Sequence, residues 1–394
     1  MEKPKINNCA RKLDGSQKKI NWLLKCFILI GIPFYDYSEI RKNDISSLIK
    51  FWLKICVEVF YTSFGVHITL YSSFGIRGKS CFLGVTTSAV TVVLLLLRFS
   101  IAFKRSQIIR LIDAVNKFKI NVRKPFFKCK KHDTVIPILF HIGMPLAIGQ
   151  IFLLFLIRNY DQLDERFKSN LLHYCIEDPV CVITIIPLYS GIHTLYSFVT
   201  PSLSMTLFYY IHRTYDKSLK HMILETHYTL LTNMSHETIE RSMSAIIEAT
   251  KVYRLIENVL SLSTFLMYLL VFINFLNIVA INVANFTGKT VALRTIGSII
   301  VFTWTTGCFF HLTLKASNLV DVCNLWKNLK QDIIKNCIHK QTYPSDVVSH
   351  LLLFNETADL NLVYTGWGMF ELDRSLLLAM VGAIVSYSVL LITI

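Results

Sequence analysis

Eight polar or aromatic side chains interrupt long apolar stretches of this sequence, and their chemistry suits recognition better than catalysis. They supply amide, imidazole, hydroxyl, phenol and indole groups, which hydrogen-bond to a small molecule or stack against it. Polar groups at membrane depth are costly against lipid and tend to line an interior cavity. We predict that this set forms a ligand pocket: Gln150, Tyr189, His193, Asn274, Asn277, Thr303, Trp304 and Thr306.

Motifs of enzymes and metalloproteins are missing from the sequence. The 10 cysteines and 12 histidines show neither zinc-binding nor redox spacing. A glycine-rich phosphate loop, a G-x-S-x-G nucleophile turn and an HExxH pair are also absent. We therefore predict no catalytic residue, no metal, no cofactor and no enzymatic activity.

The composition indicates the elements that must position these side chains. Hydrophobic residues make up 53% of the 394 residues and charged residues only 17%, yet the net charge is +15. Ordinary soluble domains carry about 25% charged residues. Apolar bulk with excess Lys and Arg is typical of a multi-pass protein in membrane lipid with basic cytoplasmic loops, and not of a nucleic-acid binder.

Seven stretches are long and apolar enough to cross a bilayer as helices, which takes roughly 20 residues each. We therefore predict an all-α membrane protein with seven transmembrane helices. The predicted spans, numbered one to seven, are 51–74, 80–103, 134–157, 179–211, 260–284, 295–314 and 375–394.

The orientation of the spans follows from Lys and Arg in the connecting segments. One side holds 32 of these residues, in 1–50, 104–133, 212–259 and 315–374, and the other side holds seven. The N-terminus is therefore predicted to be cytoplasmic and the C-terminus extracellular. The pocket candidates then lie about 10–20 Å below the outer surface. The Asn285 sequon lies outside, where glycosylation is expected.

The end of the chain resembles the arthropod gustatory receptors, a family related to the insect odorant receptors. Those receptors carry a turn with Gly, an aromatic residue and Asp, then leucines, and finally Thr-Tyr, five apolar residues and Gln-Phe. Here the turn has Gly368, Phe370 and Asp373, and the end reads Ser386-Tyr387, five residues, Thr393-Ile394. Tyr387 and the spacing match the family pattern, whereas Ser386, Thr393 and Ile394 depart from it.

The resemblance implies a ligand-gated, non-selective cation channel that acts as a gustatory chemoreceptor in the plasma membrane of chemosensory neurons. It implies a homotetramer, or an assembly with other receptor subunits, opened by a small-molecule tastant. On this basis 1–394 is one transmembrane domain. Its parts are a cytoplasmic N-terminal segment (1–50), a six-helix bundle with the pocket (51–314), a cytoplasmic anchor region (315–374) and a pore-lining seventh helix (375–394).

Span seven carries small or weakly polar residues at helical spacing on one face, with Leu390 as the exception. Such a face lines a pore with a hydrophobic constriction, or it packs closely against another helix. With the resemblance we favour the pore, and expect Tyr387 to pack against a neighbouring helix. The predicted pore and gate residues are Gly382, Ser386, Leu390, Thr393 and Ile394.

Two cytoplasmic segments, 244–260 and 319–338, carry apolar stripes at helical spacing with charges opposite. These stripes need partners away from lipid. Both subunit assembly and packing within one subunit would supply them, and the sequence leaves both open.

The ligand class follows from a departure in the terminal motif and from the pocket candidates, which include no carboxylate. The sugar branch of the family resembles Thr-Tyr-Glu there, whereas this chain has Ser388 in place of the Glu. We therefore favour a bitter-like or other non-sugar ligand, while a fructose-type sugar stays open. The alternatives are a G-protein-coupled receptor, which has the opposite orientation, and a secondary transporter, for which we find no internal repeat.

Overall fold

The computed structural model describes residues 20–34, 45–74, 81–122, 191–193, 195–286, 303–304, 306–307, 309–340 and 344–393. The prediction of an all-α protein is confirmed. Helices dominate these ranges, with one two-stranded hairpin made by β1 (Thr365–Gly366) and β2 (Phe370–Glu371). The main helices are α1 (Ile45–Phe74), α2 (Cys81–Phe103), α3 (Arg105–Val122), α4 (Thr200–Thr232), α5 (His236–Phe286), α6 (Asn318–Lys340), α7 (Ser345–Thr357) and α8 (Arg374–Thr393).

Three of the described helices contain segments long and apolar enough to cross a membrane. These segments, Leu48–Leu70, Gly84–Phe103 and His236–Asn282, overlap predicted spans one, two and five. Helix α8 nearly coincides with span seven. Span three, the first part of span four and half of span six lie outside the described residues, as does the side chain of Asn285.

Helices α4 and α5 continue far beyond the predicted spans. Helix α4 has 33 residues and α5 has 51. At 1.5 Å per residue, α5 is about 75 Å long, more than twice the thickness of a bilayer core. Both helices therefore extend beyond the apolar segments predicted to lie in the membrane.

The N-terminal part of the described chain packs into the helix bundle. Residues 20–26 are helical and continue into a 3-10 turn, Phe27–Ile30. The turn ends at Gly31, which has a φ of 68°. A side chain at Gly31 would place its Cβ 2.6 Å from Cβ of Tyr61. Both the left-handed backbone and the close approach of α1 therefore require glycine here.

A five-residue π-helix, Leu195–Val199, leads directly into α4. Pro201 lies in the first turn of α4, where proline is favoured because its fixed φ is already that of a helix. The following hydroxyls of Ser202, Ser204 and Thr206 are buried and donate to the carbonyl four residues earlier, at 2.7–2.8 Å. These local bonds allow a polar stretch to be buried inside the bundle.

The cytoplasmic stripes pack largely within a single chain. The residues of the 244–260 stripe that are buried are Ile246, Ala249, Val252, Ile256 and Leu260, whereas Ile247 is exposed. In the 319–338 stripe, Trp326 is buried against Phe354 of α7 and donates to the carbonyl of Ala358 at 2.8 Å. Packing within one subunit is therefore confirmed, and assembly between subunits remains a prediction.

The hairpin before α8 has a tight three-residue loop, residues 367–369. Thr365 pairs with Glu371 and Gly366 with Phe370, and the N–H of Met369 donates to the carbonyl of Gly366 at 2.9 Å. Two of the loop residues, Trp367 and Gly368, have φ values of 52° and 71°. A positive φ is ordinary for glycine but unusual for a bulky residue such as tryptophan.

Candidate functional site

The predicted pocket residues of span six are divided between two faces. Trp304 is buried, Thr306 is half-buried and Thr303 is exposed. The indole of Trp304 lies edge-to-face against the ring of Phe198, with centroids 6.0 Å apart. Trp304 therefore joins span six to the π-helix in the middle of span four.

Span four contributes a residue that the sequence analysis did not select. The hydroxyl of Tyr196 is buried within the bundle, and its ring lies 6.2 Å from the ring of Phe64 on α1. A Cβ on Gly65 would come within 2.5 Å of the Tyr196 hydroxyl and 3.0 Å of Leu95. Gly65 thus makes room for Tyr196 between α1 and α2. The predicted residue His193 is half-buried just before the π-helix, whereas Gln150 and Tyr189 lie outside the described residues.

Several polar atoms of spans four and six are buried and have no hydrogen-bond partner within the part of the chain that the structure describes. They include the Tyr196 hydroxyl, Nε1 of Trp304 and Oγ1 of Thr306. Buried polar atoms in native proteins nearly always have a partner. Aromatic walls with a few unpaired polar groups are the usual lining of a small-molecule site.

The two predicted asparagines of span five differ in their surroundings. Oδ1 of Asn277 accepts hydrogen bonds from the hydroxyls of Thr86 at 3.0 Å and Thr87 at 3.2 Å, both on α2. This contact joins α2 to α5, as an interhelical bond in a membrane protein does. Asn274 is half-buried one helical turn earlier on α5.

Helix α8 presents two different faces. Leu376, Leu377, Met380 and Ile384 pack against the hydrophobic core of the bundle. Further along, the ring of Tyr387 lies 6.1 Å from the ring of Phe272 on α5. One side of α8 therefore attaches it to the bundle.

The other face of α8 is uncovered in the single chain. Gly382 and Ser386 are exposed, and a Cβ on Gly382 would have no neighbouring atom within 4 Å. Leu378 and Val385 on the same side are 78% and 56% exposed. The side chains of Leu390 and Thr393, and all of Ile394, lie outside the described residues. This face of α8 is apolar and includes small residues, so it can contact lipid, pack against another helix or line a pore.

The base of α8 is held by polar contacts to the cytoplasmic helices. Oδ1 of Asp373 accepts from the N–H of Leu376 at 3.1 Å and from the hydroxyl of Ser375 at 2.7 Å, which caps the helix. The Ser375 bond, with the backbone bonds, lowers the pKa of Asp373 from its usual value. The guanidinium of Arg374 contacts Asp321 of α6 at 2.8 Å.

Three consecutive residues before the hairpin are bound by side chains of α4 and α5. The Tyr253 hydroxyl donates to the carbonyl of Val363 at 2.7 Å, and the Tyr364 hydroxyl donates to Asp216 at 2.9 Å. The carboxylate of Glu257 accepts from the N–H of Thr365 at 3.1 Å and from its hydroxyl at 2.7 Å. We call residues 363–365 with these three partners the hairpin clamp.

Asp216 is the least expected member of the hairpin clamp. Its side chain is buried on α4, and burial raises its pKa well above the usual value, opposed by the Tyr364 hydrogen bond and by nearby Lys315. Burial likewise raises the pKa of Tyr364. The imidazole of His212 stacks on the Tyr364 ring, with centroids 4.0 Å apart. The only sequence signal was an acidic residue one turn after a histidine in an otherwise aromatic and basic stretch, which does not identify a partner.

Comparison with known proteins places the chain by its fold. By sequence, it matches no protein-family model and no curated protein. The solved structure of the insect olfactory receptor OR5 from Machilis hrabei matches with a TM-score of 0.68 and 15% identity, covering 96% of this chain and 98% of that one. The same receptor in complex with eugenol matches with a TM-score of 0.69 and 15% identity, covering 97% and 99%. Over almost its whole length, the chain therefore has the fold of an insect olfactory receptor.

Proposed function

We propose that this protein is a ligand-gated, non-selective cation channel, a gustatory chemoreceptor whose pore is lined by α8 in a homotetramer. The observation that carries the proposal is the division of α8 into two faces. The face with Leu376 and Met380 packs on the bundle, while the face with Gly382 and Ser386 is uncovered. A pore-lining helix needs this arrangement, because one side must be anchored and the other must meet ions or its symmetry mates.

The fold supports the same function. The chain shares it with the insect olfactory receptor over 96–97% of its length. Fold alone does not assign a function. The uncovered small-residue face of α8 adds the feature particular to this chain.

Assembly with further copies would cover other apolar surface. Ile338 of α6 is 67% exposed and Leu352 of α7 is 61% exposed, and both lie in the segment that the charge distribution places in the cytoplasm. Exposed apolar patches on a water-facing surface mark interaction sites. Fourfold packing about α8 would bring these cytoplasmic helices close to neighbouring subunits.

The pocket favours a small amphipathic molecule that carries few polar groups. Trp304, Phe198 and Tyr196 supply aromatic walls, and the Tyr196, Trp304 and Thr306 polar atoms supply hydrogen bonds. The olfactory receptor of the same fold holds eugenol, a small organic molecule. A bitter-like, non-sugar ligand fits this lining best, since a sugar would need many more oriented hydrogen bonds.

Whole-cell recording in cells that express the full chain tests this proposal. We expect compounds from a panel of bitter substances and sugars to evoke currents that reverse near 0 mV, as in a non-selective pore. Cells expressing the chain with Gly382→Leu are the matched control. Responses that require a G protein, or uptake of the compound without current, would instead favour a receptor or a transporter.

The orientation of the chain provides a second, independent test. Epitope tags at the two ends are detected with and without permeabilisation of the cells. We expect the N-terminal tag to be reached only after permeabilisation and the C-terminal tag to be reached in intact cells. An N-terminal tag that is accessible in intact cells would contradict the channel topology.

A further inference from the structure

The hairpin clamp connects α8, the proposed pore helix, with α4, which leads to the candidate pocket. A ligand-gated channel must couple these two parts. On one side, β2 is followed within a few residues by α8, so the hairpin forms the base of the pore helix. The N–H of Leu372 donates to the carbonyl of Tyr364 at 2.8 Å, which closes the hairpin onto residue 364. Displacement of Tyr364 would therefore be passed to the start of α8 through a short, hydrogen-bonded segment.

Two of the three partners in the hairpin clamp come from α5 and one from α4. Tyr253 and Glu257 lie on α5, and a further α5 contact joins the carbonyl of Ser261 to the N–H of Trp367 at 3.1 Å. Asp216 is the partner from α4. Because α5 holds the hairpin at several points, loss of the Asp216 bond would leave the hairpin attached to α5, with only the stacking of His212 on Tyr364 to connect it to α4.

Helix α4 leads directly from the candidate pocket to Asp216. Phe198, which contacts Trp304, is in the π-helix that continues into α4. Asp216 follows 18 residues later, which corresponds to about 27 Å along a helix. The intervening residues are almost all buried. A close-packed, continuous helix of this length moves as a unit, so a shift at Phe198 reaches Asp216.

The contact between α4 and the hairpin is itself closely fitted. Tyr364 is 1% exposed, its hydroxyl donates to Asp216, and its ring is stacked on His212 at an interplanar angle of 16°. His212 and Asp216 are one turn apart on α4, so the same helix holds both the face and the hydroxyl of one tyrosine. Axial movement of α4 cannot occur without moving this side chain or breaking both contacts.

We propose that the Asp216–Tyr364 hydrogen bond, with His212 stacked on the ring, is the link that transmits movement of the pocket end of α4 to the pore helix. The proposal rests on the channel function proposed above and assigns Asp216, Tyr364 and His212 as positioning residues for gating. They contact neither the ligand nor the ions. Coupling between distant sites requires an element that both sites displace, and α4 with the hairpin is such an element.

Single-channel recording of the purified full chain in planar lipid bilayers, without added ligand, tests this link. Gly65→Ala perturbs the pocket end, because its Cβ would come within 2.5 Å of the Tyr196 hydroxyl. We expect Gly65→Ala to change the spontaneous open probability at least fivefold in the unaltered background. In the Tyr364→Phe background the same substitution is expected to change it less than twofold, while single-channel conductance and reversal potential stay unchanged.

Tyr215→Phe is the matched control for Tyr364→Phe. Tyr215 is the buried neighbour of Asp216, and its hydroxyl donates to the carbonyl of Ala249 on α5 at 2.9 Å, not to the hairpin. If the loss of any buried tyrosine hydroxyl were enough, Tyr215→Phe and Tyr364→Phe would change the effect of Gly65→Ala on the open probability alike. We expect the effect of Gly65→Ala to survive in Tyr215→Phe and to be lost in Tyr364→Phe.

The outcomes separate this link from the channel function itself. An unaltered chain that never conducts, spontaneously or with the compound panel, overturns the channel function and the link with it. A conducting chain overturns the link alone if Gly65→Ala leaves the open probability unchanged, or changes it equally in the unaltered and Tyr364→Phe backgrounds. Asp216→Leu, which removes the acceptor, must reproduce the result of Tyr364→Phe, and the double variant must add nothing to it.

Discussion

Arg98 donates a 2.9 Å hydrogen bond to the carbonyl oxygen of Gly31, although 67 residues separate the two along the chain. The same buried guanidinium donates to the carbonyls of Ile30 and Glu58 and to the hydroxyl of Thr62. It therefore satisfies the carbonyls at the end of the N-terminal turn and fixes that turn against α1 and α2. Nearby, the Glu58 carboxylate pairs with Arg105 at 3.0 Å.

Replacement of Arg98 by Met is expected to destabilise the protein strongly. The change keeps the apolar length of the side chain but removes the guanidinium donor from the carbonyls of Ile30 and Gly31, at a cost of about 1–3 kcal/mol for each one that stays unpaired. Thermal melting followed by size-exclusion chromatography of the detergent-solubilised chain measures this loss. Arg110→Met, at an exposed position of α3, is the control. Equal melting temperatures for the two variants would contradict the structural role of Arg98.

Gly65→Ala is expected to destabilise the protein by about 1–3 kcal/mol, as overpacking of a core does. The nearest atom to the added methyl group is the Tyr196 hydroxyl at 2.5 Å. Adding Tyr196→Phe should therefore restore part of the lost melting temperature, because it removes that atom. Tyr196→Phe alone should melt close to the unaltered chain. If the double variant were no more stable than Gly65→Ala, the two residues would not be in the contact described.

The stability of the hairpin clamp should depend on pH through Asp216. Burial raises the pKa of Asp216 well above its usual 3.8, so the folded protein favours the protonated carboxyl. The stabilisation of the folded state by protonated Asp216 is complete below about pH 4. It is lost as the pH rises through the raised pKa. Asn has a similar shape, keeps an acceptor for Tyr364 and does not ionise. We therefore expect the melting temperature of Asp216→Asn, relative to that of the unaltered chain, to increase as the pH rises from 4 to 8.

The melting temperatures of Asp216→Asn and the unaltered chain are compared at each pH. Titration of other groups affects both proteins equally and therefore cancels in the difference. Asp332→Asn, at an exposed position of α6, serves as the control for loss of an acidic residue. A melting-temperature difference between Asp216→Asn and the unaltered chain that shrinks with rising pH would mean that the buried carboxylate is ionised in the folded protein.

Gly382→Leu should abolish most of the cation current without harming the fold. The position is exposed and has open space around it, and replacing a helical glycine gains up to about 1 kcal/mol of helix propensity. Four leucines around a central axis would narrow the proposed pore, so we expect at least a tenfold loss of current at unchanged melting temperature and surface expression. Gly382→Ala should retain most of the current. Full current in the Gly382→Leu variant would contradict the proposal that α8 lines the pore.

The sequence alone was sufficient for features that depend on composition along the chain. The bounds of α2 and α8 match the predicted spans closely, because apolar length and helix length are both set by the bilayer. The stripe at 244–260 also predicted the buried side of α5, since helical spacing fixes which residues share a face. Trp304 was selected as a polar group inside a span and is indeed buried, whereas Thr303 beside it is exposed.

The contacts between distant residues could not be predicted in this way. The sequence pattern selected Asn277 for the pocket, yet its oxygen accepts bonds from two threonines of α2. It passed over Tyr196, whose hydroxyl is buried without a described partner. Both differences arise from the rotation of each helix about its axis, which depends on its neighbours and not on its own sequence.

The sequence by itself determined that this is a helical membrane protein with basic cytoplasmic segments, because hydropathy and charge act on each segment separately. Tertiary structure decided the rest. Only folding brings Arg98 to Gly31, and Asp216 to Tyr364 across 148 residues. A buried polar group must find its partner wherever the packed chain places one, and that partner is set by how the helices pack together, not by distance along the sequence.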